Sequence, residues 1–328
     1  MLNYYQISIS TKRSWRLIEP LQIMIVGDQQ RIRQFIQTLI MHDWPLKVIV
    51  TDLAAFEPEV VAQRGCRRFQ LQSVSTDLTK TAVVIWLPDT TFFDAKVVEP
   101  TEVALSLRTM IDELRSTVNR LISAGFAGKM IFDVPHDEIF TYFAAYFSGF
   151  AVEQIIGVGT LPQEMLLRNE LCNRLGVASD DLNVNTLGLN TNSFVAWSRI
   201  YLGSMNLLSY LKSEDNNLDL DLLEELQATI SDQAIVGNEI IQQKAILKLL
   251  DALFYQHAIL YTGVGLKKNK DQLQLALVNR IINTKGMQHE LQLPLSDQEA
   301  QDLATDLDFA NEVITAIKKE NSADGTTK

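Results

Sequence analysis

The sequence predicts a doubly wound α/β sheet over its first half and an α+β second half. The first observation is a set of continuous apolar runs, LQIMIVG (21–27), LKVIVTD (46–52), TAVVIWL (81–87) and GKMIFDV (128–134). Runs of this kind, without polar alternation, are strands buried on both faces. The second is that helical patterns alternate with them. The clearest spans 101–123, where Val103, Leu107, Met110, Ile111, Leu114, Val118, Leu121 and Ile122 keep near-helical spacing. The third is a change of pattern after about residue 150, toward helices followed by alternating strands. Parallel strands with a helix in each crossover need cover on both faces, which is the doubly wound arrangement.

Taken in order, residues 4–10 (YYQISIS) read as a short strand within an N-terminal arm, 1–20. Strand 21–27 ends in glycine and leads into a helix through Arg33, Phe35, Ile36, Leu39 and Ile40. The α/β domain closes near 150, in a boundary zone of 140–160. The second domain, 151–318, carries helical patterns near 161–175, 219–230 and 236–256. Then come AILYTGVGL as a strand, KKNKD as its turn, QLQLALVNRI as a partner strand, an NTKG turn and MQHELQL as a third strand. Ser296-Asp297-Gln298-Glu299 is a capping box opening a last helix to about 319. The tail 319–328, ending ENSADGTTK, is expected to be disordered.

The chain has 328 residues, more than one core usually fills. With 40 acidic against 29 basic residues, its net charge of −11 argues against nucleic acid and against an anionic membrane surface as partners. Its two cysteines, Cys66 and Cys172, are too few for a disulfide framework and lack metal-ligand spacing, so no metal is expected and a cytoplasmic setting fits. No signal-type or membrane-spanning apolar run is present in the sequence.

The first strand–turn–helix reads Gly27-Asp28-Gln29-Gln30-Arg31-Ile32, where a dinucleotide fold places G-x-G-x-x-G. Only the first glycine is present. Gln29 puts a side chain where the pyrophosphate should lie, and Ile32 puts a branched side chain at the helix–strand contact. Asp28 adds negative charge beside an anion site, which Arg31 would partly offset. Asp52, 25 residues after Gly27, stands where an acid would bond the ribose of NAD, and it reads equally as a loop residue at a strand end. NAD(H) binding is thus expected to be weakened, and no cofactor follows from the motif.

Further along, IGVGTLPQEMLLRNELCNRLGV (156–177), NTLGLNTNSFVAWS (185–198), GNEIIQQKAILKL (237–249) and VNRIINTKGMQHELQLPLSDQE (278–299) resemble the lactate/malate dehydrogenase superfamily, most of all its L-2-hydroxyisocaproate and L-lactate dehydrogenase branch. The resemblance covers about 21–318 and implies a Rossmann-like domain followed by a lactate dehydrogenase-type C-terminal domain. In that family a histidine exchanges the hydroxyl proton, an aspartate orients it, and an arginine clamps the substrate carboxylate. Carried over position by position, the histidine falls on Asn190, the aspartate on Gln163 and the arginine on Leu166. The asparagine near the nicotinamide falls on Val134. Arg168 lies on a different helical face from Leu166, and the loop after the third strand has no arginine before Arg108, Lys96 being its cation. Losing a positioned acid–base group alone costs about 10²–10⁴-fold.

The resemblance therefore implies a relative that keeps the fold, has lost 2-hydroxy acid dehydrogenase chemistry and acts by binding or assembly. It implies a homo-oligomer, dimer or tetramer, or a mixed oligomer with an active paralogue. Two other readings stay open: a working NAD-dependent oxidoreductase with an altered site, and a small-ligand-binding module in the old cofactor cleft, with Trp86, Phe92 and Phe93 as aromatic surface. His42, His257 and His289 read as ordinary surface or strand residues. His136 and Asp137 follow the fourth strand, where ligands collect in open sheets. They read either as packing and local anchoring or as a repurposed base that needs Asn190 or Gln163 nearby.

Overall fold

The computed structural model describes residues 21–94, 96–212, 221–232, 238–255, 257–270 and 272–324. The predicted arm, 1–20, lies outside them. The first half is a six-stranded parallel sheet in the order β3-β2-β1-β4-β5-β6. Its strands are β1 (Leu21–Gly27), β2 (Leu46–Val50), β3 (Gln70–Ser73), β4 (Thr81–Leu87), β5 (Lys129–Phe132) and β6 (Ile155–Gly157). Helices α1 (Gln29–Met41), α2 (Glu57–Ala62), α3 (Pro100–Ser123) and α4 (Asp137–Ser148) connect them.

The period-2 geometry of each strand explains its unbroken apolar run. Met24, Val26, Val84 and Trp86 face one layer with α3 and α4, whereas Ile23, Ile25, Val83 and Ile85 face the other with α1. At the end of β1, Gly27 has φ +138, and a Cβ there would collide with the Leu87 carbonyl. The glycine is needed by the β1–β4 contact itself, whatever the crevice binds.

The second half begins with α5 (Leu161–Leu175), then the short strands β7 (Leu182–Asn183), β8 (Thr186–Leu189), β9 (Asn192–Val195), β10 (Tyr201–Leu202) and β11 (Met205–Asn206). Helices α6 (Leu207–Leu211), α7 (Asp221–Ile230) and α8 (Glu239–Phe254) follow. Strands β12 (Ile259–Asn269), β13 (Gln272–Asn283) and β14 (Gly286–Glu290) form an antiparallel sheet, and α9 (Asp297–Asp324) ends the described chain. This half is not a separate layer. Leu303, Ala310 and Val313 of α9 join the α3–α4 side of the core, and Ala245, Ile246, Leu249 and Leu250 of α8 join the α1 side.

The expected elements are present with several corrections. β3, β6 and α4 were not legible as elements: β3 is a four-residue polar edge strand, β6 has three residues, and α4 is apolar nearly all round, so it shows no stripe. The turn is shorter than KKNKD, because β12 runs through Lys267, Lys268 and Asn269, which pair with Gln274, Leu273 and Gln272, so only the end of that segment connects the strands. Polar residues are at home on an exposed ladder end. The last helix passes 319 and continues to Asp324, because no helix breaker occurs before Gly325. The capping box forms as predicted: Glu299 N–H donates to Ser296 Oγ (3.3 Å) and Ser296 N–H donates to Glu299 Oε2 (2.9 Å).

Candidate functional site

In an open sheet of this order the ligand crevice lies beyond the C-terminal ends of β1 and β4, where the connections diverge to opposite sides. The first turn of α1 borders it. Asp28 caps that helix, its carboxylate accepting from Gln30 N (2.9 Å) and Arg31 N (3.0 Å). These amides are the groups a helix N-terminus offers to an external anion, and an internal carboxylate already holds them.

Arg31 does not offset Asp28. Only 7% exposed, it reaches across the strand ends. Its Nε donates to Glu239 Oε1 (2.6 Å) at the start of α8, and its Nη1 donates to the carbonyls of Pro88 (2.9 Å) and Asp133 (3.0 Å). Its Nη2 donates to Asp133 Oδ2 (2.9 Å). Pro88 follows β4 and Asp133 follows β5, so one guanidinium ties three elements together at the crevice. Burial pushes the Asp133 carboxyl up to about 6, with the facing Arg31 pulling it down. Gln29 is exposed and donates to the Ala55 carbonyl (3.4 Å). Ile32 is buried in the α1-side core. Asp52 is exposed and caps the 3-10 turn Leu53–Phe56 by accepting from Ala54 N (3.1 Å), its loop-residue reading.

The second constellation joins the turn after β5 to the β8–β9 hairpin. Asn190, 9% exposed, uses both ends of its amide: Oδ1 accepts from His136 N (2.8 Å) and Nδ2 donates to the Val134 carbonyl (2.7 Å). Gln163 on α5 donates from Nε2 to the Asn190 carbonyl (2.9 Å). His136 has a left-handed backbone, φ +61, a region that few non-glycine residues adopt, and its N–H donates to Asn190 there. Its ring packs between Phe93 (5.9 Å between centroids) and Phe309 (6.3 Å), with Nδ1 3.2 Å from Thr191 Oγ1 and 3.5 Å from Glu138 Oε1. Asp137 is a local anchor: Oδ2 accepts from Gly159 N (2.6 Å), and burial, with Glu138 next to it, raises its pKa well above the usual carboxylate value.

Beside His136 opens a cavity of about 290 Å³. Phe93, Val97, Val98, Leu189 and Phe309 give it apolar walls, and Thr191, Asn192, Thr305 and Asp306 supply polar groups. Asp306 accepts from Asn192 Nδ2 (2.8 Å), and burial pushes its pKa up to about 6.

No family model matches the chain. An L-lactate dehydrogenase of Lactobacillus delbrueckii subsp. bulgaricus is 30% identical over 203 residues, 57% of this chain and 62% of that protein. The matched part thus spans less than two thirds of the relative. Among solved structures, a lactate dehydrogenase from a Medee basin deep-sea metagenome library aligns with a TM-score of 0.78 at 17% identity, over 92% of this chain and 100% of that one. Malate dehydrogenase from Plasmodium falciparum aligns with a TM-score of 0.73 at 12% identity, over 91% and 98%. The chain is thus similar in sequence to L-lactate dehydrogenase and in fold to lactate and malate dehydrogenases.

Of the superfamily positions carried over from sequence, Asn190, Gln163 and Val134 converge in one hydrogen-bonded group, with Val134 contributing its carbonyl. Leu166 takes no part in these bonds and is half-buried on α5. Arg168 faces elsewhere, donating to the Leu182 carbonyl (2.6 Å) and to Glu164 (3.0 Å). Trp86 is not cleft surface: it is fully buried and packed against Phe132 and Phe140, and Phe92 packs against the same core. Phe93 alone of the three lines the cavity. Sequence reasoning missed the crevice partners Asp133 and Glu239 and the cavity residues Asp306 and Phe309. Asp133 stood inside the predicted fourth strand. Glu239, Asp306 and Phe309 lie more than 200 residues from Arg31 or 100 from the β5 turn, so nothing local in the chain announces them.

Proposed function

We propose that this chain is a lactate/malate dehydrogenase superfamily member that has lost 2-hydroxy acid dehydrogenase activity and acts by binding or assembly. The observation that carries this reading is the Arg31 bridge, in which a buried guanidinium and carboxylate occupy the crevice at the ends of β1, β4 and β5. A dinucleotide there would have to displace both the Asp28 cap and four Arg31 hydrogen bonds. On this reading the residues present do not fit NAD(H). The proton-exchange position supports the same reading. Asn190 does not titrate, and its amide is consumed by backbone partners.

The assembly part of this reading comes from the family resemblance, and the exposed Val61 (54%) on α2 and Ile240 (69%) on α8 are positions at which it can be probed. Among the described residues, no helix is long and apolar enough to cross a membrane. We infer a cytoplasmic homo-oligomer, a dimer or tetramer. The test is a calorimetric titration with NADH to millimolar concentration, with the Lactobacillus relative as control, and light scattering on the same sample. No heat from this chain beside a clear isotherm from the control is expected. Micromolar binding, or pyruvate reduction above the buffer rate, overturns the loss of chemistry, and a monomeric mass overturns the homo-oligomer.

A further inference from the structure

We propose that the cavity beside His136 is a binding site for a small apolar organic cation, an ammonium carried on an aromatic or branched aliphatic group. This goes beyond the loss of chemistry. The cavity shares no lining residue with the Arg31 bridge, so its ligand class is tested independently of whether the crevice takes NADH.

Size and wall come first. A volume of about 290 Å³ lies at the lower end of small-molecule sites. Its wall contains a row of rings, Phe93 to His136 at 5.9 Å and His136 to Phe309 at 6.3 Å. The electron-rich faces of phenyl rings attract a cation and do not attract a carboxylate.

Charge decides the ligand class. Among the described lining residues there is no lysine or arginine, and the one carboxylate is Asp306. Behind the histidine stands a second acid, Glu138, with its oxygen 3.5 Å from Nδ1. A 2-oxo or 2-hydroxy acid entering here would bring negative charge toward Asp306 and Glu138 with no fixed cation to receive it. An ammonium meets the reverse situation: a carboxylate to pair with, hydroxyl and amide oxygens from Thr191, Thr305 and Asn192, and aromatic rings in the wall for its apolar part. The bond from Asn192 fixes the Asp306 carboxylate before any ligand arrives, so little ordering is required on binding.

The experiment is a calorimetric titration of the full chain at pH 8, where Asp306 is ionised, with phenethylamine and with its near-isosteric acid 3-phenylpropionate. The amine is expected to bind and the acid to bind at least about tenfold more weakly. Asp306→Asn should lose about tenfold in amine affinity. Thr305→Lys, an exposed rim position that leaves the fold undisturbed, should weaken the amine and strengthen the acid. Binding of the acid as tight as the amine overturns the proposal. So does an absence of amine binding to the folded wild-type chain, or an amine affinity unchanged in both variants. The NADH titration reads a different crevice, so failure here leaves the proposed loss of chemistry standing, and the reverse.

Discussion

Replacing Arg31 with methionine tests whether the crevice is filled by a structural strut or by a side chain that a ligand can push aside. The change keeps much of the apolar stem and removes the guanidinium. It leaves the Pro88 and Asp133 carbonyls without their donor and a buried carboxylate without its partner. Breaking a buried pair by removing one member costs about 3–5 kcal/mol. Here the charge part has a ceiling. Asp133 already sits at about 6 with the arginine present, so taking up a proton at pH 7 costs no more than about 1.4 kcal/mol. The expected loss is therefore toward the lower end, about 3 kcal/mol, read as a shift in the urea midpoint at pH 7. Asp133→Asn removes the charge that the arginine answers, so the double variant should be less destabilised than the sum of the two singles by about 2 kcal/mol. Arg31→Met should not gain NADH affinity, because Asp28 still holds the helix amides. A loss under about 1 kcal/mol, or no coupling in the cycle, would refute the strut.

Three further outcomes are expected. Asn190→His should lower stability by about 2 kcal/mol, since an imidazole can replace at most one of the two amide bonds, and should give no pyruvate reduction when NADH absorbance is followed. Asp133 has a folded pKa of about 6 against an ordinary 3.8, so its contribution to stability is complete below about 3.8 and is lost as pH rises through about 6. That is about 3 kcal/mol over the window, and urea midpoints from pH 4 to 7 should flatten in Asp133→Asn by that amount, while Asp306, titrating in the same range, stays in both proteins. Gly27→Ala should unfold the chain or cost several kcal/mol by melting, though no ligand contact is removed, because its Cβ meets the Leu87 carbonyl.

The sheet was legible because its strands are buried on both faces, and a run such as TAVVIWL has no other economical reading in water. Edge strand β3, with Leu71 as its one buried residue, has too little apolar pattern to stand out from a loop. Helix α4 is hidden for the opposite reason: from Asp137 to Ala145 every residue is buried, acids included. The site positions Asn190, Gln163 and Val134 come from the resemblance alone, and the structure brings those three together in one hydrogen-bonded group. What each replacement does was not legible. Arg31 reads as a charge on an N-terminal helical turn, and its function as a strut depends on Asp133 and Glu239, which chain distance hides. The amine-compatible cavity depends likewise on Asp306 and Phe309 of a helix that the sequence marks only as capped and amphipathic.

On the proposed reading, the asparagine at position 190 both lacks a titrating group and supplies a clamp. An asparagine amide carries its acceptor and donor on one carbon, so it can engage the Val134 carbonyl and the His136 N–H, two residues apart in a tight turn. A neutral imidazole also has one donor and one acceptor, but they lie on opposite sides of a ring and diverge. It could satisfy one end of the turn and would leave the other buried and unpaired, at about 1–3 kcal/mol. The left-handed His136 backbone depends on that turn, and the cavity wall depends on where His136 places its ring. On the proposed reading a histidine at 190 is therefore not expected to give dehydrogenase activity: it loosens the turn, shifts the cavity wall and leaves Gln163, Leu166 and the Arg31 bridge in place. On that reading activity would need simultaneous changes on α1, α5 and the β8–β9 hairpin, because Arg31, Gln163 and Asn190 are each held by partners of their own.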